Sequence, residues 1–574
     1  MNNASNCLWW QTGVIYQIYP RSFQDSNGDG VGDLAGIIRR LDYVSNTLGV
    51  DAIWLSPFYP SPMADFGYDV ADYCDVDPLF GDLATFDRLV AEAHTRNINL
   101  IIDFVPNHTS DQHPWFVESR SSRNSPKRDW YVWKDTRPDS LVPNNWLSVF
   151  GGPAWEWDER TQQYYLHSFL KEQPDLNWRN PKVKAAMFDA VRFWLERGVD
   201  GFRLDVAHYI MKDPQLRDNP PNPNPAATQF KPMGDYDTQL HPYDKGHPDV
   251  HLVLREFRAV LNSYEAVRPR YSVGEIHIFD WKEWASYYGK NLDELHMPFN
   301  FALMRAPWQA EALRGVVEGL EAALPPSAWP NYVLGNHDEP RLASRYGREQ
   351  ARVAAVLLLT LRGTPTLYQG DELGMVNGEI PFDKQKDPFG IRVPGLGRDV
   401  CRTPMQWNDA PNAGFAPPHV KECWLPVTSD YHQVNVEREL ADPTSFLNLY
   451  RKLLAFRKDI PALHSGSYRP VGNVPQDCYV YMRQSENQRV LVALNFSDQD
   501  HCIALPTLGA GEIVISTGLD RSGPVKLADC VLRGNEGLII KLQLLYLAFQ
   551  ADLNRASTPQ RRPAPRSGQT EWQT

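Results

Sequence analysis

No apolar run in this chain of 574 residues is long enough to cross a bilayer. The best, Val353 to Leu361, falls well short of the ~20 residues that a spanning helix needs. The amino terminus, MNNASNCLWWQTGVIYQIYP, lacks the basic-then-apolar order of a secretory signal. Cysteine is sparse: seven residues, odd in number and with no CxxC spacing, which excludes a redox motif and a clustered zinc site. Buried free thiols in a reducing compartment are expected, hence a cytoplasmic location. Positive charge is in deficit as well, with 58 Lys and Arg against 70 Asp and Glu and a net charge of −12. That is the wrong sign for a phosphate backbone, so no nucleic-acid partner is expected. Internal repeats are missing. What remains is a soluble globular chain with no membrane partner, expected as a monomer or small homo-oligomer and too long for one ordinary domain.

Aromatic residues, by contrast, are plentiful, with 18 Trp and 25 Tyr. Such rings stack on sugars, but they fill cores equally well. More telling is the alternation of short β-rich runs with amphipathic helical stretches, the pattern of a parallel α/β fold. Candidate strands are Val14–Tyr19, Ala52–Leu55, Ile98–Phe104, Gly201–Leu204, Tyr271–Val273, Tyr332–Leu334 and Thr364–Tyr368, with Leu295–Met297 completing eight. One helix carries Leu34, Ile37, Ile38, Leu41 and Leu48 at helical spacing. Another starts at Asn180-Pro181, an N-cap followed by proline at the first helical position, and Gly198 closes it. Order and length predict a (β/α)8 TIM barrel. Its first part spans 1–107 and its second 179–462.

Two connections are too long for plain loops. The stretch 108–178 after the third strand predicts an inserted subdomain, and a second insert, about 211–248, follows the fourth strand. It would emerge at the C-terminal face of the barrel, where barrel enzymes keep their active sites. From 463 to 550 the alternating runs CYVYMR, RVLVALNF, EIVIS and LIIKL predict a C-terminal antiparallel β domain. Residues 551–574, rich in Pro and Arg, read as a disordered tail.

Three acidic residues close three candidate strands in barrel order: Asp205 ends DGFRLD, Glu275 ends YSVGE, and Asp338 lies in YVLGNHD. Carboxylates at the C-terminal ends of barrel strands converge on one mouth, the place for catalysis. Arg203 stands two residues before Asp205, and His337 beside Asp338. The motifs DFVPNH (103–108), GFRLDVAH (201–208), GEIH (274–277) and GNHDEP (335–340) follow one another, with QIYPRSF (17–23), GYDVADY (67–73) and CRTPMQW (401–407) around them. In these the sequence resembles glycoside hydrolase family 13, the α-amylase superfamily, and within it the α-glucosidase and oligo-1,6-glucosidase branch. The resemblance extends over essentially residues 8 to 545.

That resemblance implies a retaining glycosidase acting on small oligosaccharides. Asp205 would be the nucleophile and Glu275 the acid/base, its pKa raised so that it protonates the leaving oxygen and later activates water. Arg203 would keep Asp205 ionised and aimed. Asp338, with His337 and His108, would bind sugar hydroxyls and favour the distorted ring of the transition state. Asp65, Tyr68 and Arg402 match the residues that hold the terminal glucose, and an Asp–Arg clamp at a blind end gives exo action. Val206, directly after the nucleophile, is typical of enzymes of this branch that accept α-1,6 bonds, a tilt worth about 1–3 kcal/mol rather than a fixed choice. The residues behind it, and the insert, differ from the usual oligo-1,6-glucosidase continuation, which leaves linkage open.

The loop Asp25, Asn27, Asp29, Val31 and Asp33 reads like the first nine positions of an EF-hand, with Gly36 where the bidentate Glu belongs. It resembles a structural cation site of this branch, so one Ca²⁺ or Mg²⁺ is expected there, and no organic cofactor. Two rivals share the fold. A transglycosylase or isomerase of trehalose-synthase type uses the same covalent intermediate. A catalytically dead binding or transporter-associated subunit would lack the acids, which stand here.

Overall fold

The computed structural model describes residues 7–138, 142–225 and 233–543. Strands β1 (Ile15–Ile18), β2 (Ala52–Leu55) and β3 (Asn99–Phe104) lead into an excursion with β4 (Trp133–Lys134), β5 (Trp155–Asp158) and β6 (Gln163–Leu166). The barrel resumes with β7 (Gly201–Leu204), β8 (Tyr271–Gly274), β9 (Met297–Pro298), β10 (Asn331–Val333) and β11 (Thr364–Tyr368). The eight barrel strands form one parallel sheet ordered β10-β11-β1-β2-β3-β7-β8-β9, as the α/β alternation predicts. The eighth strand lies slightly beyond the expected Leu295–Met297, because Phe299 N–H, not Leu295, reaches β8, donating to Gly274 O at 2.7 Å. Pro298 has no N–H to extend the ladder, which keeps this strand short.

Between β9 and β10 the sheet does not close by backbone pairing. The Asn331 side chain spans the gap instead, donating from Nδ2 to Pro298 O at 2.6 Å and accepting from Asn300 N–H at 3.3 Å. Inside the barrel, Ile15, Trp54, Ile101, Tyr271, Val273, Met297 and Phe299 make a dry core, and Trp10 from the N-terminal turn packs beneath it, 5.8 Å from Tyr271. This end of the barrel is filled, so only the opposite face is left for a site.

Helices cover the outside for the reasons legible in the sequence. The helix Leu34–Asp42 buries Leu34, Ile37 and Leu41 completely, and truncating one of them to Ala would cost about 2–5 kcal/mol. The helix Pro181–Glu196 starts where expected: Asn180 Oδ1 accepts from Lys182 N–H at 2.9 Å, and Gly198 takes φ +96° just past its end. The excursion 108–178 contains a helix (Pro114–Ser121) and the three-stranded antiparallel sheet β4-β6-β5.

Beyond the last helix (Pro461–His464), strands β12 (Ser467–Pro470), β13 (Cys478–Ser485), β14 (Gln488–Asn495), β15 (His501–Ile503), β16 (Ala510–Ser516), β17 (Gly523–Lys526), β18 (Cys530–Leu532) and β19 (Gly537–Leu542) follow. Six of them make an antiparallel sheet, β12-β13-β14-β19-β16-β17, and β15 pairs with β18. This domain docks on the barrel through buried Arg483, whose Nη1 donates to Thr360 O at 2.6 Å. The tail expected from 551 onward lies outside the described residues, as do 226–232 of the second insert. Among the described residues no helix is long and apolar enough to cross a membrane.

Candidate active site

Strand register assembles the floor. Asp103 on β3 is the pairing partner of Arg203 on β7, and β7 pairs with β8 so that Leu204 faces Gly274. Because side chains alternate across a strand, Arg203 and Asp205 share one side, and Glu275 comes up beside Asp205. Arg203 Nη1 donates to Asp103 Oδ1 at 2.7 Å and to Asp205 Oδ1 at 2.8 Å, while Nη2 donates to Glu275 Oε2. One buried guanidinium thus holds three carboxylates. Asp103 is a further member of the site, and its sequence signal is the motif DFVPNH itself.

The chain turns sharply after the nucleophile. Val206 sits at φ +35°, ψ 47°, a left-handed conformation that is a rare outlier for a β-branched residue. It is not a strand position: it starts the turn into Ala207–Tyr209 and presents its side chain to the cavity.

Behind the carboxylates runs a buried chain of polar groups. Gln17 Nε2 lies 2.7 Å from His337 Nδ1, His337 Nε2 lies 2.7 Å from the Tyr68 hydroxyl, and that hydroxyl donates to Asp103 Oδ2 at 3.0 Å. Arg402 donates from Nε to His337 O at 2.8 Å and from Nη2 to Asp338 Oδ1 at 2.7 Å. The clamp expected between Asp65 and Arg402 is arranged differently. Asp65 Oδ1 accepts from Arg398 Nη2 at 2.7 Å, and Arg398 also reaches Asp387 at 2.7 Å and Asp338 at 3.3 Å. Arg398 was missed because its partners are scattered over more than 300 positions of sequence.

A cavity of about 720 Å³ opens above this floor, lined by Asp65, Tyr68, His108, Asp205, Val206, Glu275 and Asp338 among others. Arg203, His337 and Arg402 lie one layer behind it, each about 1% exposed or less. They therefore position the groups that meet a ligand. The insert 211–248 supplies much of the outer wall, including Tyr236, Gln239, Leu240, His241 and Lys245.

Electrostatics of the floor differ from the expectation in one respect. Burial pushes both Asp205 and Glu275 up, but Arg203 and the His277 ring, 2.6 Å from Glu275 Oε1, hold Glu275 below the usual carboxyl range. Asp205 is instead raised well above its ordinary value, by burial against the pull of Arg203 and by repulsion from Glu275 and Asp103. Asp103, Asp205 and Glu275 all share the Arg203 guanidinium, so the charge on each bears on the others. Asp338, half-buried, is held low by His337, Arg398 and Arg402. Burial brings His337 down to about 3 and His108 to about 4, so both rings are neutral at neutral pH.

In the loop expected to hold a cation, the oxygens turn onto the loop's own backbone. Asp25 accepts from Asn27, Gly28 and Gly30 N–H, Asn27 from Asp29, and Asp29 from Val31. Asp33 caps the following helix through Gly36 N–H at 2.7 Å. The donor set has the hard-oxygen chemistry for Ca²⁺ or Mg²⁺, yet among the described residues no three His, Cys, Asp or Glu side chains converge as a metal group. The expected set also draws on the Asn27 side chain and the Val31 backbone carbonyl.

With the fold and floor in place, comparison with known proteins is decisive. Residues 17–466 match the family described as "Alpha amylase, catalytic domain". The chain belongs to the α-amylase family. It is 45% identical to a probable alpha-glucosidase of Rhizobium meliloti (strain 1021), covering 88% of this chain and 94% of that protein. It is 39% identical to the oligo-1,6-glucosidase of Parageobacillus thermoglucosidasius, over 94% of this chain and 99% of the other. The crystal structure of an alpha-glucosyl transfer enzyme, XgtA, superposes with a TM-score of 0.87 at 43% identity, covering 94% of this chain and all (100%) of that one. This family member is a glycoside hydrolase, and its substrate is accordingly a small sugar.

Proposed function

We propose that this glycoside hydrolase is a retaining, exo-acting α-glucosidase that removes terminal α-linked glucose from short oligosaccharides. The observation that carries this reading is the single guanidinium of Arg203 joined to both Asp205 and Glu275. Two carboxyls held by one guanidinium stand near each other, which suits the ~5–5.5 Å of a retaining enzyme better than the ~6.5–9.5 Å of an inverting one. The Asp65–Arg398–Asp387 ion pairs stand at one wall of the cavity, which supports a pocket for one terminal sugar.

In the first step an Asp205 oxygen attacks the anomeric carbon while Glu275 gives its proton to the departing glycosidic oxygen, leaving a glucosyl ester on Asp205. Water then attacks, its proton passing to Glu275, and the ester bond breaks. The first step needs the proton on Glu275 and the charge on Asp205; the second needs Glu275 ionised, so that it takes the proton from water. A glucose ring entering between them draws Glu275 off Arg203, which frees the guanidinium for Asp205 and lets burial raise Glu275. Asp338, held ionised by Arg398 and Arg402, accepts ring hydroxyls. Asp65, Tyr68 and His108 complete the pocket around them.

A second reading is supported by the similarity to the glucosyl transfer enzyme: the same ester can pass to a sugar hydroxyl, giving transfer beside hydrolysis. Val206, facing the cavity, tilts acceptance towards α-1,6 bonds. A divalent cation at Asp25–Asp33 and a cytoplasmic location belong to the same proposal, the latter supported by seven free cysteines; a monomer or small homo-oligomer is its expected state. Proton NMR with maltose and isomaltose in separate tubes tests the whole. α-Glucose appearing before mutarotation upholds retention, new glycosidic signals reveal transfer, and no change in either sugar overturns the α-glucosidase reading.

A further inference from the structure

The buried chain that runs from Gln17 on β1 through His337, Tyr68 and Asp103 to Arg203 has a proton order, and it can be read from the acidic end. An ionised Asp103 only accepts. The Tyr68 hydroxyl, 3.0 Å from Asp103 Oδ2, therefore donates to it and has only lone pairs left for His337 Nε2 at 2.7 Å. His337 Nε2 must then carry the ring proton, and Asp338 Oδ2, 3.4 Å from the same nitrogen, favours the same placement. The ring is neutral, because burial brings it down to about 3, so Nδ1 is bare and needs a donor. Gln17 Nε2 stands there at 2.7 Å, with its other N–H given to Ser56 Oγ at 3.1 Å. The ring has little room to turn over. It is fully buried, Tyr19 lies along one face at 5.6 Å, and Trp54 meets it edge-on at 6.2 Å.

The same distances would also fit the opposite order. With an acceptor turned towards Nδ1, the ring proton would sit on Nδ1 and Nε2 would accept. The Tyr68 hydroxyl would then turn from Asp103 to His337, and Asp103 would keep only the hydrogen bonds of Arg203 and of Trp54 Nε1, the latter at 3.3 Å. Resting on the α-glucosidase reading above, we infer that Gln17 is a positioning residue: by donating to Nδ1 it selects the His337 tautomer, and so keeps the Tyr68 hydroxyl on Asp103 and Asp103 on Arg203. Gln17 is fully buried behind His337 and meets no sugar. Other charges bear on the chain. Asp338, Arg203, Arg398 and Arg402 act on His337, and Arg203, Glu275 and Asp205 act on Asp103. Of these Asp338 stands at Nε2, whereas the hydrogen-bond partner of Nδ1 is Gln17.

The test substitutes Gln17 in two ways. Gln17→Met keeps the bulk and removes the donor; Gln17→Glu turns an acceptor towards Nδ1. Without the Tyr68 hydrogen bond the Asp103 carboxyl rises, so the acid limb of kcat/KM for maltose is expected to move up, by about half a pH unit in Gln17→Met and about one unit in Gln17→Glu. The loss in Gln17→Glu should be about tenfold below the limb and less than about twofold above it, whereas a merely structural role would lower the rate at every pH. Adding Tyr68→Phe to either variant should move the limb no further than Tyr68→Phe alone, since Gln17 acts through that hydroxyl. Nitrogen NMR of enzyme labelled in its histidines, with the His337 signal identified by its loss in His337→Asn, reads the tautomer without any turnover. The proton is expected on Nε2 in the wild type and on Nδ1 in Gln17→Glu. A wild-type ring protonated at Nδ1, or limbs that stay in place in both variants, overturns the inference. Wild-type enzyme inert towards maltose and isomaltose, with Nε2 protonated, would overturn the α-glucosidase reading instead, so the two failures are distinguishable.

Discussion

The floor of the cavity and its outer half are built from different materials. On the floor every charge has a partner: Arg203 serves Asp103, Asp205 and Glu275, Arg398 serves Asp65, Asp387 and Asp338, and Arg402 serves Asp338. In the outer half Lys245 lies over the rings of Tyr209 and Tyr236, and among the described residues no carboxylate forms an ion pair with it. The floor comes from strand ends whose register is set by the barrel; the outer wall comes largely from the connection after β7. A reaction common to many enzymes sits on the part that cannot move, and selectivity on the part that can vary without disturbing it.

The contrast can be broken or sharpened by substitution. The largest effect is expected from Asp205→Asn, which should cut glucose release from any substrate by roughly 10⁴-fold or more while leaving the fold intact. Initial rates beside a thermal melt measure both, and retained turnover would show that the floor is not the chemical centre. Next comes Arg398→Ala. It strands Asp65 and Asp387 in the interior, so a loss of about 3–5 kcal/mol of stability is expected together with a roughly hundredfold fall in kcat/KM. A variant that melts normally and works normally would mean that the back wall is dispensable.

A pH profile gives a finer cut. Burial raises the Asp103 carboxyl to about 6 against the pull of Arg203 and of the Tyr68 hydrogen bond. Below that pH it gains a proton and loosens its hold on Arg203, so kcat/KM should fall as pH drops through about 6. Tyr68→Phe removes a hydrogen bond that lowers this pKa, and the acid limb should therefore move to higher pH. Lys245→Met, in the outer half, should leave the limb in place; a limb that moves equally in both variants would erase the distinction between halves. A smaller effect is expected from Val206→Thr, a change of the isomaltose-to-maltose rate ratio of about threefold to tenfold, read by competing the two sugars. Smallest for catalysis is removal of metal. EDTA should lower the melting temperature by a few degrees with little direct effect on the rate constant, and an unchanged melt would mean that the loop Asp25–Asp33 closes on itself without an ion.

The same division explains how much could be read from sequence. Strands such as Ala52–Leu55, Gly201–Leu204 and Thr364–Tyr368 are apolar runs buried on both faces, and a parallel barrel makes such runs conspicuous. Asp205, Glu275 and Asp338 stand at or just beyond strand ends, so locating the strands locates them. Asp103 was within reach of the same logic, since it sits on β3. Arg398 was not, since it owes its role to partners from three separate segments, Asp65, Asp338 and Asp387. The lowering of the Glu275 carboxyl depends on the Arg203–Glu275 contact and on His277, and no spacing in the sequence encodes those. Nor does it encode the left-handed turn at Val206, which overrides the extended preference of a β-branched residue.

On the proposed reading, the filled base of the barrel and the ion pairs at Arg398 make substrate and products share one entrance. Whatever is cut deepest is therefore last out: the departing sugar must clear the passage before the freed glucose can follow. When substrate is abundant, the next molecule arrives at the threshold while glucose is still inside. It then either takes up the glucosyl group or acts as a cork. Crowding at that single doorway makes self-inhibition and elongation of the sugar two results of the same traffic jam, and both should grow together as the concentration rises.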